Sequence, residues 1–167
     1  SINSGFEEVM KEGPLCKEQM RDCKFTFTHF VPHEDTAHRG LSQLGPASRR
    51  ACMGALLTAG TMILEPMLAI EVRVPTDLVG NVATVLSGKR GKVLDMSQKG
   101  ASSIIVGEIP ASETFTLSEA MRGQTAGRAT WNTSFKAWTE LPKSIAATAI
   151  AEIRKRKGLA PEPPGID

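Results

Sequence analysis

Hydrophobic residues recur along the first part of the chain with two different periods, one helical and one strand-like. Apolar residues at helical spacing predict helices at about residues 5–12 and 46–60. Ser4 and Glu7 have the spacing of a capping box, which would start the first helix at the serine. Between the helices, residues 24–29 alternate polar and apolar side chains, which predicts a half-buried strand with Phe25 and Phe27 facing the core.

Residues 67–140 follow the order β-α-β-β-α-β. The predicted strands are residues 68–74, 92–96, 103–109 and 131–138, and the predicted helices are residues 78–86 and 117–126. This order is that of the split βαβ unit, and it predicts a ferredoxin-like domain with two helices on one face of a four-stranded antiparallel sheet. A last helix then runs from Ser144, as its cap, to Gly158, with four cations at 154–157 in its final turn. The fold class is therefore α+β.

Composition excludes several classes of protein. The chain has 167 residues, of which 41% are hydrophobic and 23% charged, as in an ordinary globular protein. Its 20 basic and 18 acidic residues leave a net charge of only +2, which argues against a general RNA-coating protein. No apolar run approaches the roughly 18 residues of a membrane span. Three cysteines without C-x-x-C spacing predict neither a disulfide framework nor a zinc knuckle, so we expect a soluble protein of the cytoplasm.

The richest polar cluster lies at residues 32–40 and contains His33 and His38. A metal site is one interpretation of it, because imidazoles and carboxylates are metal ligands. The two histidines are five positions apart, so neither a helix nor a strand would place them on one face. Only an irregular loop could bring both to one ion, and no further ligand is evident nearby. A solvated loop is the simpler interpretation, and we expect no metal.

No sequence pattern predicts catalysis or nucleotide binding by this chain. It contains neither a G-x-S-x-G nucleophile elbow nor a G-x-x-x-x-G-K-[ST] phosphate loop. We therefore expect neither an enzyme nor a cofactor. Lys89, Arg90 and Lys92 form a basic turn, which is either a solvated surface or a set of contacts to nucleic-acid phosphates.

Several stretches, taken in order, resemble the C-terminal part of archaeal and eukaryotic translation elongation factor 2, the ribosomal translocase, and the archaeal form most. The stretches are SGFEEVMKEGPL at 4–15, HEDTAHRG at 33–40, LEP at 64–66, VGNV at 79–82, KRGKV at 89–93, AGRA at 126–129 and IRKRKGL at 153–159. The resemblance implies that residues 1–66 and 141–167 form part of the factor's fourth domain, another α/β sandwich. Residues 67–140 would be its ferredoxin-like fifth domain. The GTP-binding region, with its GTP and Mg²⁺, would lie in a part of the factor not present here.

The resemblance also implies a functional site. In the family, the histidine of a D-x-x-H-R-G pattern at the fourth domain's tip becomes diphthamide; here that histidine is His38, supported by Asp35, Arg39 and Gly40. The tip loop, residues 32–40, would enter the decoding region of the small subunit beside transfer RNA. The fifth domain would contact the large subunit, and there Lys89, Arg90 and Lys92 are candidate RNA contacts.

The resemblance thus implies a monomeric part of a GTP-dependent factor that moves transfer RNA and messenger RNA on the ribosome. Its partners would be the ribosome and the diphthamide-synthesis enzymes, with no membrane. The alternative is a stand-alone ferredoxin-like module that binds RNA or assists ribosome assembly. An upstream phosphate-loop domain in the whole gene product would distinguish the two.

Overall fold

The computed structural model describes residues 2–165, and the chain divides into two compact units. The helical unit combines residues 1–63 with residues 141–167, so it gathers both ends of the chain, and the sheet unit is Leu64–Glu140. Ser1, Ile166 and Asp167 lie outside the described residues. No helix in the described part is long and apolar enough to cross a membrane.

Five α-helices and four strands make up the regular structure of residues 2–165. In chain order they are α1 (Ile2–Lys11), α2 (Leu41–Ala59), β1 (Leu64–Pro75), α3 (Val79–Gly88), β2 (Lys92–Lys99), β3 (Ser102–Pro110), α4 (Leu117–Thr125), β4 (Thr130–Glu140) and α5 (Lys143–Arg156). Short 3-10 segments at Thr36–Arg39, Thr76–Leu78 and Ala111–Thr116 precede α2, α3 and α4.

The sheet unit is a four-stranded antiparallel sheet in the order β2-β3-β1-β4, with α3 and α4 packed on one face. Alternate residues of β1 and β3 meet apolar side chains of the two helices, as their period requires. The core residues are Ile70, Val72, Val74, Val82, Val85, Leu86, Ile105, Ile109, Leu117, Met121 and Ala129. The predicted α+β class and β-α-β-β-α-β order are confirmed.

In the helical unit, α1 packs closely on α2 through Gly5. A β-carbon at this position would lie 2.0 Å from Ser48 Oγ and 2.6 Å from Arg49 N. Ser48 Oγ also donates a hydrogen bond to the carbonyl of Ile2 at 3.1 Å. Gly5 is therefore required by the contact between the two helices.

Both serine caps predicted from the sequence are wrong. α1 begins at Ile2, which places Ser4 inside the helix, and a β-carbon on Gly45 of α2 would lie only 3.4 Å from Ser4 Oγ. Packing between helices, which a local motif does not report, has placed this hydroxyl against α2. α5 begins at Lys143, one residue before the predicted cap Ser144. The amides of Ile145 and Ala146 donate to the carbonyl of Pro142.

The predicted strand at residues 24–29 is also wrong. The segment has no regular secondary structure, and all four strands of the described chain lie in the sheet unit. Phe25 contacts Phe6 edge to face at 5.3 Å, whereas Phe27 is 67% exposed. An alternating pattern indicates that one face of a segment is buried, but a strand also needs a neighbouring strand with which to form backbone hydrogen bonds.

The cations at the end of α5 bind the chain that follows α1. Arg154 is only 7% exposed and donates through Nη1 to the carbonyl of Leu15 at 2.6 Å and through Nε to that of Ala160. Lys157 Nζ donates to the carbonyls of Cys16 and Lys17, at 2.9 Å each. These bonds join α5 to the rest of the helical unit, so the basic run is more than a solvated helix end.

Candidate functional site

The tip loop, residues 32–40, contains one short 3-10 turn, Thr36–Arg39, directly before α2. Asp35 caps this turn, because its Oδ1 accepts the amide hydrogen of Ala37 at 2.9 Å. The amide of His38 donates to the carbonyl of Asp35 at 3.2 Å, which closes the turn. The cap and the turn together set the position of the His38 side chain.

Arg39 folds back over the start of the loop. Its Nε donates to the carbonyl of His33 at 2.6 Å, and its Nη2 donates to the carbonyl of Glu34 at 3.0 Å. These are bonds from a charged donor, which are stronger than neutral ones. Every residue of the loop is exposed, so the loop owes its order to its own hydrogen bonds and not to burial.

His38 is held between two polar neighbours and one ring. Its Nδ1 lies 3.2 Å from Gln43 Oε1, and its Nε2 lies 4.0 Å from Asp35 Oδ2. The His33 ring packs edge to face against it, with 4.6 Å between the ring centroids. The side chain is still 52% exposed. The structure therefore presents an oriented imidazole to solvent beside a carboxylate.

The irregular loop does bring the two histidines together, as a metal site would require. His33 Nδ1, however, accepts the amide hydrogen of Asp35 at 3.1 Å, which leaves only the Nε2 of this histidine as a possible ligand. Among residues 2–165, no group of three or more histidine, cysteine or acidic side chains could hold a metal ion.

Burial raises the pKa of the Cys16 and Cys52 thiols, which disfavours the nucleophilic thiolate at both positions.

Gly40 supports the loop through its backbone rather than through the freedom of a glycine. Its φ of −72° is one that any residue adopts, and its carbonyl accepts hydrogen bonds from the amides of Gln43 and Leu44. An added β-carbon would meet only Ser42 Oγ, at an ordinary 3.8 Å. Neither strain nor crowding within the loop therefore requires glycine here.

The basic turn at residues 89–92 lies in the sheet unit, and the Arg90 side chain is directed towards two acidic residues of that unit. Its Nη1 and Nη2 donate to the two carboxylate oxygens of Glu65 at 2.7 and 2.9 Å, and its Nε donates to Glu113 Oε1 at 2.9 Å. The hydrogen bond to Glu65, followed by that to Glu113, raises the pKa of Arg90 above its ordinary value. With a fourth bond from Nη2 to Ser112, four of the five guanidinium N–H donors are engaged within the sheet unit, so this arginine fixes the turn.

The two lysines of the turn are placed differently. Lys89 Nζ donates to Thr116 Oγ1 at 2.6 Å, while Lys92 is exposed at the start of β2. An ammonium has three donor hydrogens, and Lys89 uses one of them within the described chain. Both lysines remain able to reach an anion outside the protein.

Two family models match the chain, and together they span most of it. The model of elongation factor G, domain IV, matches residues 1–60, and the model of the elongation factor G C-terminus matches residues 62–149. The chain belongs to the elongation factor G and elongation factor 2 family. The predicted family and the C-terminal position within it are confirmed.

Relatives from archaea align along the whole chain. Elongation factor 2 of Cenarchaeum symbiosum is 79% identical over 166 residues, which is 99% of this chain. The elongation factors 2 of Sulfurisphaera tokodaii and Desulfurococcus mucosus are 45% and 42% identical over 167 residues. The chain spans only 23% of the length of each of these three relatives.

A solved structure from Thermus thermophilus shares the fold of the chain. It matches with a TM-score of 0.74 and 27% identity over 92% of this chain, and the match covers 23% of that structure.

The candidate site residues can be predicted from the sequence only where they lie close together along the chain. Asp35, His38, Arg39 and Gly40 are gathered in one loop, as the pattern predicts. Gln43, Glu65 and Glu113 were not predicted, because each acts through a contact that has no local signature.

Proposed function

We propose that this chain supplies the fourth and fifth domains of a translocation factor that moves transfer RNA and messenger RNA on the ribosome. The helical unit would be part of the fourth domain and the sheet unit the fifth. The observation that carries the proposal is the tip loop: an exposed loop whose shape is already fixed by Asp35 and Arg39. A loop ordered in advance loses little conformational entropy when it enters a binding site.

The tip loop suits a role against RNA in the decoding region. His38 is presented outward from the turn, and Arg39 holds the loop closed behind it. We propose that His38 is the residue converted to diphthamide by the diphthamide-synthesis enzymes, because it occupies the histidine of the D-x-x-H-R-G pattern. The modification would extend this ordered side chain towards the RNA.

The residues of this chain do not fit GTP and its Mg²⁺. The phosphate-loop pattern is missing from the sequence, and residues 2–165 contain no acidic cluster able to hold a metal ion. We assign GTP hydrolysis to another part of the parent factor, of which this chain matches about a quarter. The contribution of this chain would be mechanical: it would block backward movement while its tip loop occupies the decoding region. The tip loop favours this role over the alternative, a stand-alone RNA-binding module. We also propose that the factor is monomeric and acts in the cytoplasm.

Asp35→Ala in the parent factor is expected to slow translocation about tenfold, as measured by messenger RNA movement on ribosomes, and to leave ribosome-stimulated GTP hydrolysis unchanged. The change removes the cap of the 3-10 turn and the carboxylate beside His38. Loss of a cap costs about 0.5–2 kcal/mol, a range that includes the 1.4 kcal/mol corresponding to a tenfold rate.

Glu34→Ala is the matched control, since it also removes a carboxylate from the tip loop. The carboxylate oxygens of Glu34 accept no hydrogen bond in the described chain, and only its backbone carbonyl accepts one, from Arg39. This variant should translocate at the normal rate. Equal rates for the two variants, or a parallel fall in GTP hydrolysis, would argue against the proposed role of the loop.

The modification is tested by the mass of the native protein. In protein purified from its archaeal host, we expect the peptide containing His38 to be heavier than its sequence, with fragment ions that place the added mass on that histidine. Cleavage after Glu34 separates His29 from His38, and the peptide containing His29 is then the internal control and should have its unmodified mass. A His38 peptide of unmodified mass from the native host would disprove the assignment.

A further inference from the structure

Gln43 contacts the His38 ring from outside the tip loop. Its Oε1 lies 3.2 Å from His38 Nδ1, and among the described residues this is the one hydrogen bond of the Gln43 side chain. Gln43 belongs to the first turn of α2, and its amide donates to the carbonyl of Gly40 at 3.1 Å. Its backbone is therefore fixed by the helix, and its side chain links the exposed ring to the ordered start of α2.

This contact determines which nitrogen of His38 carries the proton. An amide oxygen can only accept a hydrogen bond, so a bond to Nδ1 requires the proton on that nitrogen. The neutral ring then keeps its lone pair on Nε2, because the hydrogen bond of one ring nitrogen sets the state of the other. Asp35 Oδ2 does not compete, since it is 4.0 Å from Nε2 and beyond hydrogen-bond distance. Gln43 thus selects the Nδ1–H tautomer.

The same contact distinguishes the two orientations that the ring can adopt. His33 packs edge to face on His38, and such a contact is compatible with either of two orientations related by a half turn about χ2. A half turn would bring a carbon atom, Cδ2, to the Gln43 oxygen in place of Nδ1, and the hydrogen bond would be lost. Gln43 therefore fixes the orientation that ring packing leaves open.

We propose that Gln43 is a positioning residue for the conversion of His38 to diphthamide: it presents the imidazole to the modifying enzymes in one orientation and one tautomer. The inference rests on the proposed modification of His38. An enzyme that acts on a ring must bind it in a single orientation, and a side chain that is 52% exposed would otherwise sample two. Gln43 takes no part in bond formation and acts through the orientation of His38.

The rate of modification in the native host tests this role. Tagged parent factor is induced in its archaeal host, and the fraction of the His38 peptide that carries added mass is followed with time. Gln43→Met keeps the length of the side chain without the amide oxygen. It should be modified about fivefold more slowly, the rate equivalent of one neutral hydrogen bond. Gln43→Glu retains an acceptor oxygen and should be modified at the normal rate.

Ser42→Ala is the matched control. Ser42 is an exposed neighbour in the same turn of α2, and its hydroxyl forms no hydrogen bond in the described chain. This variant should be modified at the normal rate. Glutamine, methionine and glutamate have similar helix propensities, so the Gln43 variants should unfold at the same temperature as the unchanged chain.

The nitrogen-15 spectrum of this chain reports the state of the ring directly. A protonated ring nitrogen and one with a lone pair resonate far apart, so a spectrum at alkaline pH, where imidazoles are neutral, shows which nitrogen of His38 carries the proton. We expect the Nδ1–H tautomer in the unchanged chain and in Ser42→Ala, and a mixture of both tautomers in Gln43→Met. A merely structural role of Gln43 would not change this ratio.

The outcomes separate this inference from the proposed function. Equal modification rates for Gln43→Met and the unchanged factor would overturn the inference and leave the modification of His38 in place. A Gln43→Glu variant as slow as Gln43→Met would also overturn it, because the acceptor oxygen would then not be the cause. A proton on Nε2 in the unchanged chain would show that the Gln43 contact is absent in solution. If His38 of the unchanged factor gains no mass, the proposed modification itself fails, and this inference with it.

Discussion

Arg90→Met is expected to lower the free energy of unfolding of the sheet unit by about 3 kcal/mol at neutral pH, the low end of the range for breaking a buried ion pair. Methionine keeps the length of the side chain but removes its charge. Glu65, whose side chain is 10% exposed, would then face Glu113 without a cation between them. The Arg90 side chain is itself 30% exposed, and this residual solvation keeps the expected loss from being larger.

Arg73→Met is the control, because Arg73 forms a comparable contact at the surface. Its Nη2 lies 3.2 Å from Glu71 Oε1, but its side chain is 68% exposed, and such pairs contribute at most about 1 kcal/mol. Both tryptophans, Trp131 and Trp138, lie in the sheet unit, so their fluorescence during urea unfolding reports its stability directly. Similar losses in the two variants would mean that burial does not strengthen the Arg90 contacts.

Gly5→Ala is expected to destabilise the helical unit by about 3 kcal/mol, the upper part of the range for an overpacked site. The new methyl group would lie 2.6 Å from the backbone at both Arg49 N and Gly45 O, where no side-chain rotation relieves the overlap. α1 would have to move away from α2. The measurement is urea unfolding, monitored by the far-ultraviolet circular dichroism signal of α-helix.

Gly54→Ala, in the middle of α2, makes the same chemical change without the contact. Nothing outside its own stretch of helix lies within 4 Å of its added β-carbon, and alanine is favoured over glycine inside a helix by up to about 1 kcal/mol. This variant should therefore be more stable than the unchanged chain. A Gly5→Ala variant as stable as the unchanged chain would show that the close approach of α1 to α2 is absent in solution.

The sheet unit was predictable because its signals are local. Alternating apolar residues mark its strands, and Pro75 and Pro110 come at the ends of β1 and β3. A βαββαβ order then leaves few ways to cover one face of the sheet. The resemblance to the family, through the D-x-x-H-R-G pattern, added the candidate site, which periodicity alone could not.

The parts that were missed depend on contacts between distant residues. Arg90 reads as a turn cation, and only the folded chain brings Glu65, 25 positions away, onto its guanidinium. Residues 24–29 have the period of a strand but no partner among the described residues. Ser4 has the spacing of a cap, yet the packing of α1 on α2 decides where its hydroxyl lies. In each case the local preference is real and a tertiary contact overrides it.

The most direct test of the proposed function is to photocross-link the tip of the loop to RNA on the ribosome. A photoreactive amino acid would replace Ala37 in the parent factor, with the same group at Lys99 of the sheet unit as the control. We predict crosslinks from position 37 to small-subunit RNA in the decoding region or to the transfer RNA bound there, and none of these from position 99. Crosslinks from position 37 that fall only on the large subunit, or on no RNA, would contradict the proposal that this loop enters the decoding region.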